Sequence, residues 1–261
     1  MPKFIDISMP LENDVKSDPE LARPTIQYID HDMSVGRIQT FFPDLQPGDL
    51  PDGKGWAIER VQLTTHNGTH LDAPYHFHPT MNHRRKPGGE PAWTIDQVPL
   101  EWCFAPGIKL DFRHFPDGYV VTVDDVDAEL RRISVTLSEG TIVLVNTAAG
   151  AAYGRDEYVD KGCGMGREAT LYLLERGVHI TGTDAWSWDA PFIYTKEKVD
   201  KTGDNGLIWE GHKAGREIAY CHLEKLHNLE ALPSTGFTVS CFPVKIKRAS
   251  AGWTRAVAIL E

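Results

Sequence analysis

Positive charge is in short supply: 27 Lys and Arg stand against 37 Asp and Glu in 261 residues, for a formal net charge of −10. An acidic surface repels phosphate backbones and anionic bilayers, which argues against nucleic acid or a membrane as partner. Cysteine is scarce and scattered. Cys103, Cys163, Cys221 and Cys241 form no CxxC pair, which excludes a disulfide framework and predicts small buried hydrophobes. Long apolar runs are missing as well. The longest uncharged stretch, Gly140 to Gly154, holds Asn146, two Thr and three Gly, and is too short and polar to cross a bilayer. The opening MPKFIDISMPLEND carries Lys3 and Asp6 where a signal peptide needs an apolar core, so a cytoplasmic protein is expected. Repeats, low-complexity tracts and linker-like charge runs are also lacking, and one domain over residues 1–261 is the expectation. What remains, 41% hydrophobic and 25% charged residues, is the composition of an ordinary globular chain.

The patterning predicts strands joined by helices. Trp56 to Thr65, Thr141 to Thr147, Val178 to Thr183, Gly236 to Phe242 and Thr254 to Leu260 read as strands, rich in β-branched residues or continuously apolar. A capping-box variant at Thr122-Val-Asp-Asp125 predicts a helix carrying Val126, Leu130 and Ile133 on one face. A second helix is predicted from about Gly166 to Arg176, with Gly177 at its C′ position. Pro43 to Gly55 is the most loop-like segment. Strands outnumber helices, and the class is mixed α/β.

One motif is a decoy. Gly162-Cys-Gly-Met-Gly166 opens a helix, and Asp184 ends the following strand, much as in a dinucleotide fingerprint. The glycines of that fingerprint must follow directly on a buried strand. Here the preceding strand ends at Thr147 and a polar stretch intervenes. No P-loop, GxSxG or HExxH is present.

The chemistry concentrates in the histidines. Five of eleven fall between His66 and His83, and the core reads His66-Asn-Gly-Thr-His70-Leu-Asp72-Ala-Pro-Tyr-His76. Asn67-Gly68 signals a turn, which places His66 at a strand end. His70 and Asp72 then project together from the next extended segment, because residues i and i+2 share a face. Two imidazoles and a carboxylate converging on one point form a mixed N/O site suited to Zn²⁺ or Mn²⁺. His78 and His83 lie in a polar stretch without such a frame and read as surface residues.

The string His66-x-Gly-Thr-His70-x-Asp-x-Pro-x-His76 resembles the signature of the metal-dependent cyclase family, which includes bacterial kynurenine formamidase and isatin hydrolase. Asp6-Ile-Ser-x-Pro-Leu11, Arg167 to Asp184 and Glu224-Lys-Leu-His-Asn-Leu229 are similar to further family segments, so the likeness spreads over most of the chain. The resemblance implies a swivelling β/β/α-like fold, with a central barrel-like sheet and flanking helices. It implies metal ligation by His66, His70 and Asp72, with His212 and Glu224 completing the set and Asp72 and Glu224 bridging where two ions bind. It also implies one or two Zn²⁺ or Mn²⁺ per chain, His76 as proton donor and acceptor, and a homodimer or homotetramer, with which exposed edge strands and the apolar run Ala256 to Leu260 are compatible.

Kynurenine formamidases carry a tryptophan shortly after the opening strand; here the matching region reads Val15-Lys-Ser-Asp-Pro19. The family's Thr-Gly-Trp is replaced by Thr147-Ala-Ala149, and there are extra residues around Pro43 to Gly55 and Lys196 to Gly211. These departures spare the metal set and alter what shapes the pocket. Trp56, Trp186 and Trp188 are the candidates to line it instead. The expectation is a metal-dependent hydrolase attacking an amide, imide or ester carbonyl of a small cyclic or aryl molecule. Ring closure on the same site, kynurenine formamidase proper and a non-catalytic metal-binding module are the alternatives.

Overall fold

The computed structural model describes residues 1–260. Nine strands form one sheet: β1 (Lys3–Asp6), β2 (His70–Asp72), β3 (Phe104–Asp111), β4 (Ile142–Asn146), β5 (Ile180–Thr183), β6 (Cys221–Glu224), β7 (Phe237–Ser240), β8 (Ala251–Trp253) and β9 (Val257–Leu260). Their spatial order is β1-β9-β7-β3-β4-β5-β6-β2-β8, and the sheet curls into a half-barrel. The helices are α1 (Val35–Gln39), α2 (Pro74–Phe77), α3 (Val123–Arg132), α4 (Arg167–Leu174), α5 (Phe192–Thr202) and α6 (Glu210–Glu217). Neighbours from β3 to β6 run parallel. Parallel strands need crossovers, and α3, α4 and the α5–α6 pair supply them. The remaining pairings are antiparallel. The architecture is the mixed α/β class expected from the sequence.

Strand β4 explains why the middle of the sheet reads as an unbroken apolar run. Ile142 and Leu144 enter one core with Ile5, Leu71 and Leu223, while Val143 and Val145 enter the other with Leu110, Val126 and Leu173. A strand buried on both faces has no reason to alternate. The capping box forms as predicted: Thr122 N donates to Asp125 Oδ2 at 2.8 Å, and Asp125 N to Thr122 Oγ1 at 3.3 Å. Gly177, at φ +85°, closes α4. Its N–H donates to Leu174 O and that of Val178 to Leu173 O, the paired bonds of a Schellman ending. All four cysteines are free and buried.

Strand β9 is hydrogen-bonded to β1 on one side and β7 on the other. Helix α5 has no buried residue and so no apolar stripe by which to announce itself in the sequence. The reading of His78 and His83 as surface residues is corrected. His78 and His83 are half-buried and tied to Thr80, at 2.9 Å from His78 Nδ1 to Thr80 O and 2.8 Å between His83 Nε2 and Thr80 Oγ1. Among the described residues no helix is long and apolar enough to cross a membrane.

Candidate metal centre

The site is built where the parallel block ends at β6 and meets the antiparallel strand β2. Strands β6 and β2 pair with His222 opposite Asp72, Leu223 opposite Leu71 and Glu224 opposite His70. Residues directly opposite one another share a face, and so do residues two apart. His70, Asp72, His222 and Glu224 therefore form a square on one face, while Leu71 and Leu223 go to the core on the other. The turn before β2 brings in His66. Asn67 holds it by accepting Thr64 N–H at 2.7 Å, and Gly68 takes φ +59° to redirect the chain. Pro74 starts the one-turn helix α2, which carries His76 back over the square. Helix α6 adds His212.

Distances within the cluster are short. His66 Nδ1 lies 2.9 Å and His70 Nε2 3.3 Å from Asp72 Oδ1, and His222 Nε2 lies 3.1 Å from Asp72 Oδ2. Glu224 Oε1 is 3.2 Å from His222 Nε2 and 3.6 Å from His212 Nε2; Oε2 is 3.5 Å from His70 Nε2. His76 Nε2 stands 3.7 Å from Asp72 Oδ2. All five metal-site residues singled out in the sequence, and His76, thus meet at one point. His222 and Asp189 were missed. The alternation of Cys221-His-Leu-Glu224 was the available signal for His222, since it places His222 and Glu224 on the same face of a strand.

Each ring is aimed by its other nitrogen. His70 Nδ1 lies 2.8 Å from Gly68 O, which can only accept, so Nε2 is left with a lone pair. His212 Nδ1 donates to Asp189 Oδ2, and Asp189 also receives His212 N at 3.1 Å and Gly211 N at 2.7 Å. His66 Nε2 is 3.0 Å from Ser250 Oγ. Such partners fix the tautomer and commonly contribute 10–100-fold to metal affinity. Replacing Asp189 by Asn is expected to weaken cation binding by roughly that factor with little change in folding, measured by calorimetric titration.

The glycine motif serves this same arrangement. A Cβ on Gly164 would sit 1.8 Å from Ala190 N and 2.1 Å from Asp189 C, so only glycine lets residues 162–166 pack on the Asp189 segment. Gly164→Ala is expected to cost about 3 kcal/mol of stability, as overpacking does, and to lower cation affinity through the displaced Asp189. Denaturant unfolding and metal titration would read the two effects separately.

The electrostatics favour a positive charge at the centre. Burial works against an ionised Asp72, but the surrounding histidines hold its carboxyl well below the usual range. Glu224 is likewise drawn down to about 2 against its own burial, chiefly by His222. Burial also opposes charge on His222, yet Asp72 and Glu224 push it up to about 9. His76 behaves oppositely: burial takes it down to about 4. His70 Nε2 and both oxygens of Asp72 are buried without a hydrogen-bond partner. One such orphan costs ~1–3 kcal/mol, and three converging ones call for a cation. Donors ~2.0–2.1 Å from a shared tetrahedral ion lie ~3.3 Å apart, close to the separations found here. The donor set fits a divalent metal.

A cavity of about 180 Å³ opens onto the cluster, lined by His66, His76, His212, Trp186, Phe192 and Trp209 among others. Of the three tryptophans expected on it, only Trp186 is there, its Nε1 donating to Asp18 Oδ1 at 3.1 Å. Trp188 is buried behind the site, with Nε1 on Thr170 Oγ1 at 3.0 Å. Trp56 belongs to a separate cavity with Phe42 and Leu50. Trp209, not anticipated, stacks on His212 at 4.5 Å.

The family model described as "Putative cyclase" matches residues 5–190. The chain belongs to that family. No curated protein matches it. Among solved structures it is similar to an isatin hydrolase bound to the product analogue thioisatinate, with TM-score 0.74 and 19% identity over 99% of this chain and 92% of that one. Isatin hydrolase A from Ralstonia solanacearum gives 0.74 and 22%, over 100% and 92%. A structure described as a potential metal-dependent hydrolase with cyclase activity gives 0.67 and 18%, over 100% and 99%. At these identities the likeness is one of fold.

Proposed function

We propose that the chain is a metal-dependent hydrolase of small cyclic or aryl substrates, opening a lactam, lactone or formamide at its carbonyl. The observation that carries this reading is the trio of orphaned donor atoms on His70 and Asp72, in contact with His66, His76 and Glu224, which line a small cavity. His66, His70, Asp72, His212 and Glu224 would hold the cation. The nitrogen and carboxylate set, with no thiolate, suits Zn²⁺ or Mn²⁺. When bound, such an ion acidifies water and polarises a carbonyl.

The residues around it supply the rest. Trp186, Trp209 and Phe192 offer aromatic walls for a flat ring, and about 180 Å³ suits one small molecule better than an extended chain. The isatin hydrolase neighbours, one bound to the product analogue thioisatinate, support a small-molecule substrate. His76 stands at the cavity and would take the proton from water, then deliver it to the leaving nitrogen or oxygen. Because its pKa is lowered from 6.5 to about 4, the neutral base persists as pH falls. The acid limb of kcat/KM belonging to His76 is therefore expected near pH 4. A limb centred at 6.5 would assign the base to another group.

The test is metal content of protein purified without added salts, followed by turnover of lactams, lactones and aryl formamides in ¹⁸O-water. One or two equivalents of Zn or Mn and label in an acid product are expected. Folded protein that takes up no metal on titration overturns the reading. Turnover without label points to dehydrative ring closure.

A further inference from the structure

We infer that His222 is a metal ligand, completing a second four-donor cation position beside the one formed by His66 and His70. This rests on the metal-dependent reading above and adds to it a donor and a count. The two carboxylates divide the cluster. Asp72 Oδ1 and Glu224 Oε2 face His66 and His70, whereas Asp72 Oδ2 and Glu224 Oε1 face His222 and His212, with His76 Nε2 standing farther off, 3.7 Å from Asp72 Oδ2. Each compartment thus has two imidazole nitrogens and one oxygen from each bridging carboxylate. Without His222 the second compartment would have three donors; with it, Asp72, His212, His222 and Glu224 bring ligand atoms within 4.8 Å of one another.

The ring is prepared for ligation in two ways. Tyr220 Oη donates its proton to Gly211 O at 3.1 Å, so towards His222 Nδ1, 3.3 Å away, it can only accept. That places the hydrogen of the neutral ring on Nδ1 and a lone pair on Nε2, which faces Asp72 and Glu224. The ring is also clamped, stacked on Phe77 at 5.0 Å and on Trp188 at 5.9 Å, and is wholly buried. A side chain so fixed loses little entropy on binding an ion. The competing role is a protonated counter-ion that neutralises the two carboxylates and keeps a metal out.

The experiment strips the whole protein with chelator, titrates Mn²⁺ or Zn²⁺ by calorimetry and native mass spectrometry, and follows spin coupling of a Mn²⁺ pair by electron paramagnetic resonance. The native chain is expected to take two equivalents and give a coupled signal. His222→Leu should weaken the second equivalent by roughly 10–100-fold or more and abolish the coupling, with the first equivalent retained. Tyr220→Phe, which keeps the ring's volume, should weaken the second equivalent alone, and it decides the matter if His222→Leu does not fold. Unchanged or tighter second-site affinity in the folded variant overturns the inference, as does a native chain that takes a single equivalent His222→Leu also takes. A native chain that takes none overturns the hydrolase reading itself.

Discussion

Asp72→Asn is expected to remove cation binding from the whole cluster and to lower turnover by roughly 10³-fold or more. The carboxylate faces both halves of the site at short range, with Oδ1 towards His66 and His70 and Oδ2 towards His222. It is completely buried, and its two oxygens meet only the histidines of the cluster without a well-formed hydrogen bond to either. Asparagine keeps the shape but replaces one oxygen by an NH₂ group, which repels a cation and cannot bridge. The rate figure follows because a bound ion's stabilisation of developing charge is worth several kcal/mol, at 1.36 kcal/mol per decade. Metal content should fall with activity, and the variant should still fold cooperatively when β2 keeps both its neighbours, β6 and β8. An Asp72→Asn protein that retains metal and works within tenfold of the native rate would mean the centre lies elsewhere.

His76→Asn is expected to separate catalysis from binding. Turnover should drop by roughly 10²–10⁴-fold, the usual contribution of a positioned acid–base group, with metal content unchanged. The reason is position. His76 comes from α2 and not from the β2–β6 square, and its ring packs against those of His66 at 4.2 Å and Trp209 at 5.1 Å on the cavity wall. Its neutral state at ordinary pH suits a group that first accepts a proton. Since asparagine keeps a polar amide near the place of Nδ1 and cannot exchange a proton, KM should move far less than kcat. Loss of metal in this variant would make His76 a ligand; full activity would remove it from the chemistry.

Much of this site was legible before any coordinates. The turn at Asn67-Gly68 and the two-residue spacing of His70 and Asp72 put three donors together by local geometry alone, and a local pattern survives without knowledge of the fold. His212 and Glu224 were reachable only through family likeness, because a lone histidine on a helix and a lone acid carry no spacing of their own. His222 was hidden for a related reason. Its alternation with Glu224 was visible, but the strand is four residues long and its partner lies about 150 positions earlier in the chain. The aromatic lining was read least well. Trp188 and Trp186 stand two apart, yet one supports His222 from behind while the other faces the cavity.

The sequence alone determined the class of fold, the helix ends at Thr122 and Gly177, the donor chemistry and the core of the donor cluster, since these depend on neighbours a few residues away. Tertiary structure decided which donors oppose one another, how many the cluster gathers and which tryptophan meets the cavity. Those follow from the register of β2 against β6, and a register between distant strands is set by the packing of Leu71 and Leu223 into the shared core, a contact no local pattern contains.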